Sequence, residues 1–215
     1  MNIPAAVRPR RRAYGPTLAF SFAAWEHGHR AVLVGLDPDP AALARARRRA
    51  DIEWAEGTAA SARWDTAFDL ATMTGHAFQC LVTDAELSAS LAAVHTALRS
   101  GGRFAFETRH PQARAWEGWN PSAASDVVDA AGRALRLWHE TESVIGDVVT
   151  FTGTTAAADG TVLRVDRTRL RFLDEAVLDA FLADAGFVVE TRCGDWDGGP
   201  VTGTSREIIT IARRR

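Results

Sequence analysis

Short apolar runs and helix-period stripes take turns along the first half of the chain. The runs RAVLVGLD (30–37), DIEWAEG (51–57), FDLATMTG (68–75) and GRFAFETR (102–109) predict strands, and AALARARRRA (41–50) predicts a helix between the first two. The clearest stripe is Leu87, Leu91, Val94 and Leu98, spaced as one buried helix face. Thr83 and Glu86 have the T-x-x-E spacing of a capping box, and Gly101-Gly102 supply the stop. Strands separated by helices predict an α/β fold: a mainly parallel sheet covered on both faces, with its ligand site beyond the carboxyl ends of the strands.

The second half changes rhythm. ALRLWHETESV (134–144) and the stretch from Asp147 to Leu173, with a turn at Asp159-Gly160, predict an antiparallel β-meander over 134–173, expected as three strands. A second capped helix is predicted over Asp174 to Ala185, with Val177, Leu178, Phe181, Leu182 and Ala185 inward and Gly186 as its end. FVVETRCGDW and SREIITIAR close the chain as a strand pair, predicted to join the main sheet with the last strand antiparallel. Neither an internal repeat nor a linker is visible, so residues 1–215 read as one domain.

Composition narrows the picture. The 47% hydrophobic and 24% charged fractions are those of an ordinary globule, and a net charge of -2 gives no general attraction to nucleic acid or to an anionic membrane. RPRRR (8–12) and RRR (213–215) read as solvated ends. All 25 basic residues are arginine, a mark of GC-rich coding. Cys80 and Cys193 form no CxxC pair, and six scattered histidines show no ligand spacing, so neither a disulfide framework nor a metal site is expected. With no apolar run of membrane-spanning length and no signal peptide, the expected home is the cytoplasm.

The order of elements resembles the class I S-adenosylmethionine-dependent methyltransferases over roughly residues 15–215. VGLDPDPAALARARRR, FDLATMTGHAFQ, LAAVHTALRSGGRFAFETRHP and AGFVVETRCGDW…REIITIARR carry the resemblance. It implies a Rossmann-like methyltransferase fold, S-adenosylmethionine as cofactor and a small-molecule methyl acceptor. It also assigns Asp37, followed by Pro38, to the 2′ and 3′ hydroxyls of the cofactor ribose, which a carboxylate can accept together. A blander reading stands beside it, in which DPDP is a polar turn that caps a helix, with Asp39 as well placed as Asp37. A nicotinamide-dependent oxidoreductase would also use a strand-end aspartate. It requires G-x-G-x-x-G behind a strand, which is absent.

The resemblance breaks at the N-terminus. The family's first strand and glycine-rich turn correspond to AAVRPRRRAYGPTLAFSFAAWEHGH, where only Gly15 is left of the turn and arginine and proline stand in place of the strand. The following helix is expected in PTLAFSFAAWEHGH (16–29), ended by Gly28, with residues 1–14 poorly packed or disordered. A GC-rich strand-and-turn sequence read one frame over yields arginine and proline, so the stretch reads either as a shifted or mis-started remnant or as a degenerate natural site. The acid that contacts adenine in the family is matched here by Thr58, followed by Ala59. These departures imply weakened cofactor binding. The alternative is a catalytically inactive chain of this fold, acting as a binding module or without function.

Methyl transfer from a sulfonium needs alignment, and a base only when the acceptor carries a proton. Thr74, Gly75 and His76 follow the fourth expected strand and so fall beside the cofactor, with His76 as either a base or a helix-capping histidine. Glu107, Arg109, His110, Trp116 and Trp119 follow the fifth. Arginine with two tryptophans suits a flat or anionic acceptor, while the tryptophans could equally pin the meander to the sheet. The meander itself has the position of a lid or a homodimer contact.

Overall fold

The computed structural model of the chain describes residues 19–26, 30–129 and 131–215. The first strands are β1 (Ala19–Glu26), β2 (Arg30–Asp37), β3 (Glu53–Glu56), β4 (Phe68–Thr74) and β5 (Leu98–Arg109). Next come β6 (Ser125–Val128), β7 (Ala134–Ile145), β8 (Val148–Ala157) and β9 (Val162–Arg171), then β10 (Phe187–Cys193) and β11 (Glu207–Arg214). The helices are α1 (Pro40–Ala46), α2 (Asp84–Ala97) and α3 (Glu175–Asp184).

The main sheet has seven strands in the order β10-β11-β5-β4-β1-β2-β3. β2 and β3 pair parallel, as do β4 and β5, while β11 is antiparallel to both β5 and β10. β1 is antiparallel to both of its neighbours, β2 and β4. So β2, β3, β4, β5 and β10 point one way, and β1 and β11 the other. The mainly parallel sheet and its reversed last strand are as the sequence predicts. The reversed central strand is not.

The helix expected over 16–29 is a correction: residues 19–26 of it are β1, and the rest lies outside the described residues, as do Gly15 and residues 1–14. The run AFSFAAWE is rich in aromatic residues, whose side chains suit a pleated surface better than a helix, and tertiary packing decides between the two. Phe22 is buried, stacked on Phe68 at 4.6 Å and tilted against Trp64 at 5.0 Å. It joins Val34, Leu36, Ala71, Met73, Phe104 and Phe106 of the sheet in one core with Leu87, Leu91 and Val94 of α2 and Leu178 and Leu182 of α3.

The capping box of α2 forms, with Glu86 N donating to Thr83 Oγ1 at 3.2 Å and Thr83 N to Glu86 Oε2 at 2.9 Å. The helix ends at Ala97, ahead of the glycine pair, because Leu98 already turns into β5. In α3, Leu178 and Leu182 are buried, but Val177 is 43% exposed, one position outside the buried stripe. β7, β8 and β9 form the expected meander, and β6 extends it to a four-stranded sheet. No described helix is long and apolar enough to cross a membrane.

Candidate active site

The carboxyl ends of β2, β4 and β5 bring Asp37, Thr74 and Arg109 to one edge of the sheet, and reversed β11 starts there with Glu207 opposite Arg109. β1 also starts at this edge, since Ala19 pairs with Thr74, so its carboxyl end at Glu26 lies at the far edge. A parallel first strand would deliver its following turn into the site. The carboxyl end of this one lies at the opposite side.

Asp37 is 4% exposed. Its Oδ1 accepts from the backbone N–H of Asp39 at 2.8 Å, while its Oδ2 is buried without a partner among the described residues. Burial pushes the carboxyl above the usual range, the Asp39 amide opposes that, and the negative charge of Asp39 adds to it. Asp39 itself is exposed and caps α1, its Oδ1 accepting from Ala41 N at 2.8 Å, while Pro38 between them is exposed. The two aspartates of DPDP therefore divide the alternatives: Asp39 is the helix cap, and Asp37 faces inward. A strand of this sheet also leaves no room beside Asp37 for a side chain at Gly35, where a Cβ would sit 2.1 Å from the Trp54 ring.

Past β3, Thr58 is exposed and Ala59 buried, and Thr58 N donates to Ser61 Oγ at 2.9 Å in a short turn. Past β4, Gly75 and His76 both have left-handed backbones, φ 69° and 63°. Glycine adopts this freely, whereas histidine there is strained. Glu107 holds the pair: its Oε1 accepts from Gly75 N at 2.7 Å and His76 N at 3.3 Å, and its Oε2 from Trp196 Nε1 at 2.5 Å. Two successive amides turned onto one anion form a nest, here filled by the protein's own carboxylate. The His76 ring makes no capping bond to the turn that follows. Its Nε2 lies 2.8 Å from Glu207 Oε2 instead.

Arg109 stacks over Trp119 at 5.3 Å. Burial pulls its guanidinium below the usual range, while Glu207 and Glu107 hold it up. Arg109, Trp119, Arg206 and Glu207 line a cleft of about 520 Å³. Trp116 and Trp119 also pack on Phe172, with ring centroids 4.5 Å and 6.4 Å away, and Trp119 on Phe151 at 4.6 Å, so they pin the second sheet as well. His110 is 5% exposed and its Nδ1 accepts from Gln112 N at 3.1 Å, capping the turn that follows, and it is not among the residues that line this cleft. Among the described residues no cluster could hold a metal ion.

Residues 15–102 match the family model of the methyltransferase domain. Over that stretch, less than half of its length, the chain is similar to a methyltransferase domain, and its fold is that of S-adenosylmethionine-dependent methyltransferases. No curated protein sequence matches it. Among solved structures, a methyltransferase of this kind from Clostridium acetobutylicum superposes with a TM-score of 0.70 at 16% identity, over 84% of this chain and 74% of that one. The amino pentose methyltransferase CalS10 from Micromonospora echinaspora, with S-adenosylmethionine bound, gives 0.62 at 24% identity over 85% and 73%. The sugar N-methyltransferase KedS8 from Streptoalloteichus gives 0.61 at 21% over 85% and 71%. These likenesses show the fold. Within that fold this chain has an aspartate, Asp37, at the end of β2 and an antiparallel strand, β1, between β2 and β4.

Glu207 and Trp196 were beyond sequence reasoning. They lie 131 and 89 residues from the partners they serve, and the one local sign is an acid opening an otherwise apolar strand, EIITIA.

Proposed function

We propose that this protein transfers a methyl group from S-adenosylmethionine to a small polar molecule seated in the cleft between Arg109, Trp119 and Glu207. The observation that carries the reading is the unpartnered, buried Oδ2 of Asp37 at the carboxyl end of β2. A buried carboxylate oxygen without a donor costs free energy unless a ligand supplies one, and ribose hydroxyls are donors of the right kind. Asp37 would hold the ribose, and the cofactor would supply an electrophilic methyl group. Thr74 ends β4, and Gly75 and His76 follow it on the same edge. The amino pentose and sugar N-methyltransferases among the similar structures favour an acceptor with hydroxyl or amino groups.

The fit is good at the ribose end and poor at the methionine end. With β1 reversed, its carboxyl end at Glu26 lies across the sheet from Asp37. We therefore expect affinity weaker than that of a relative with a parallel first strand by at least about 2 kcal/mol, the scale of one or two hydrogen bonds to charged groups. Titration calorimetry with S-adenosylhomocysteine tests both parts. Binding weaker than micromolar, and lost in Asp37→Ala, is the expected result. Micromolar binding would refute the weakening, and no binding by a folded protein would select the second reading that the reversed strand favours, a chain of this fold without turnover.

A further inference from the structure

We propose that Glu207 is the positioning residue of His76, and that the pair makes His76 the base that deprotonates the methyl acceptor. This rests on the methyltransferase reading above. Two carboxylates from adjacent strands hold this histidine at both ends: Glu107 of β5 binds its backbone amide at 3.3 Å, and Glu207 of β11 binds its ring at 2.8 Å. The strained left-handed backbone at His76 persists because the nest around Glu107 fixes it. Such strain, over-determined by its surroundings, aims the ring at one place.

An ionised carboxylate only accepts, so Glu207 fixes the proton of neutral His76 on Nε2 and leaves Nδ1 as the free base. The ring bonds Glu207 on β11, the backbone amide bonds Glu107 on β5, and Arg109 on β5 sits under the influence of both acids. The His76 side chain is 21% exposed and that of Glu207 32%, and Glu207 lines the cleft beside Arg109 and Trp119. Nδ1 takes the proton from an acceptor oxygen or nitrogen. At the same time the acceptor's electron pair bonds the methyl carbon, and the carbon–sulfur pair stays on the sulfur of the sulfonium donor. The charge that appears on the imidazole is balanced by Glu207.

The test uses the whole chain labelled with ¹⁵N-histidine. In wild type the His76 ring should give the signals of a single Nε2–H tautomer, and Glu207→Ala should scramble them into a mixture while the melting temperature stays within a few degrees. Glu207→Gln, whose amide oxygen can still accept, should keep the tautomer. A wild-type ring already mixed, or one unmoved by Glu207→Ala, overturns the positioning. The kinetic arm follows radiolabelled methyl transfer to the best acceptor in a panel of phenols, sugars and amino sugars. His76→Ala should lower kcat about a hundredfold, and Glu207→Ala about tenfold, with KM for S-adenosylmethionine and the affinity for S-adenosylhomocysteine within twofold of wild type. A fall in S-adenosylhomocysteine affinity with kcat unchanged would place Glu207 in the cofactor site and overturn the base role. Failure of the methyltransferase reading itself shows separately, as absent calorimetric binding with the tautomer result intact.

Discussion

Two buried acids stand at the same edge of the sheet and live under opposite conditions. Glu107, at 6% exposure, has both oxygens occupied, by Gly75 N, His76 N and Trp196 Nε1. Asp37, at 4%, has one oxygen on its neighbour's amide and the other on none of the described residues. A carboxylate that is fully bonded stabilises what it bonds, and one that is half bonded costs stability until something donates to it. Both carry a carboxyl group, and both are buried. Partner count separates a structural acid from a ligand-holding one.

The largest expected effect belongs to the saturated acid. Glu107→Ala removes the side-chain acceptor that these three donors share, and should lower stability by about 2–4 kcal/mol in urea denaturation. Glu107→Gln should be no rescue, because both oxygens accept and an amide must point its NH₂ at one of the donors. A Gln variant as stable as wild type would mean that water already serves one side of Glu107, and the contrast with Asp37 would shrink.

Next comes the open acid. Asp37→Ala should weaken S-adenosylhomocysteine binding by about 1.5–3 kcal/mol, the range for hydrogen bonds to a charged group. Unchanged affinity by calorimetry would break the comparison outright, since the free oxygen would then serve no ligand.

The same acid should also carry a pH signature opposite to the usual one. Burial raises its folded-state value, so between the unfolded value, near 3.9, and the raised one the folded protein binds more protons than the unfolded chain. Stability from this group is then fully present below about 3.9 and lost as pH rises through the folded value. Asp37→Asn removes that loss. The stability difference between Asp37→Asn and wild type should therefore grow in favour of the variant from pH 4 towards neutrality, read from denaturation midpoints. A constant difference would mean that Asp37 is not held half satisfied.

How much of this was legible depends on distance along the chain. Asp37 could be read because its signal is local: an apolar strand, an acid and a helix start within ten residues or so. The strand order of β2, β3, β4 and β5, and the capping box at Thr83 and Glu86, are local in the same sense. The direction of β1 is not. AFSFAAWE is apolar enough for helix or strand, and its pairing with Leu33 and Val34 on one side and with Leu70 and Ala71 on the other fixes its direction, through contacts no window of sequence contains. The grip of Glu207 on His76 and the cap that His110 places on its own turn were hidden for a related reason. A histidine's type says that it can bond, and only the fold says to what.

The smallest effect is the control that keeps the comparison honest about position. Asp39 lies two residues beyond Asp37 in DPDP, carries the same carboxylate and is exposed, with one bond to Ala41 N at 2.8 Å. As the cap of a helix only seven residues long, it should cost about 1 kcal/mol when changed to alanine. Because its backbone N–H still donates to Asp37 Oδ1, that substitution leaves the inner acid in place. S-adenosylhomocysteine affinity should stay within about twofold of wild type, equivalent to roughly 0.4 kcal/mol. Affinity lost in Asp39→Ala but kept in Asp37→Ala would move the ribose contact outward by two residues, and the buried oxygen of Asp37 would then be a cost that the fold carries for no ligand.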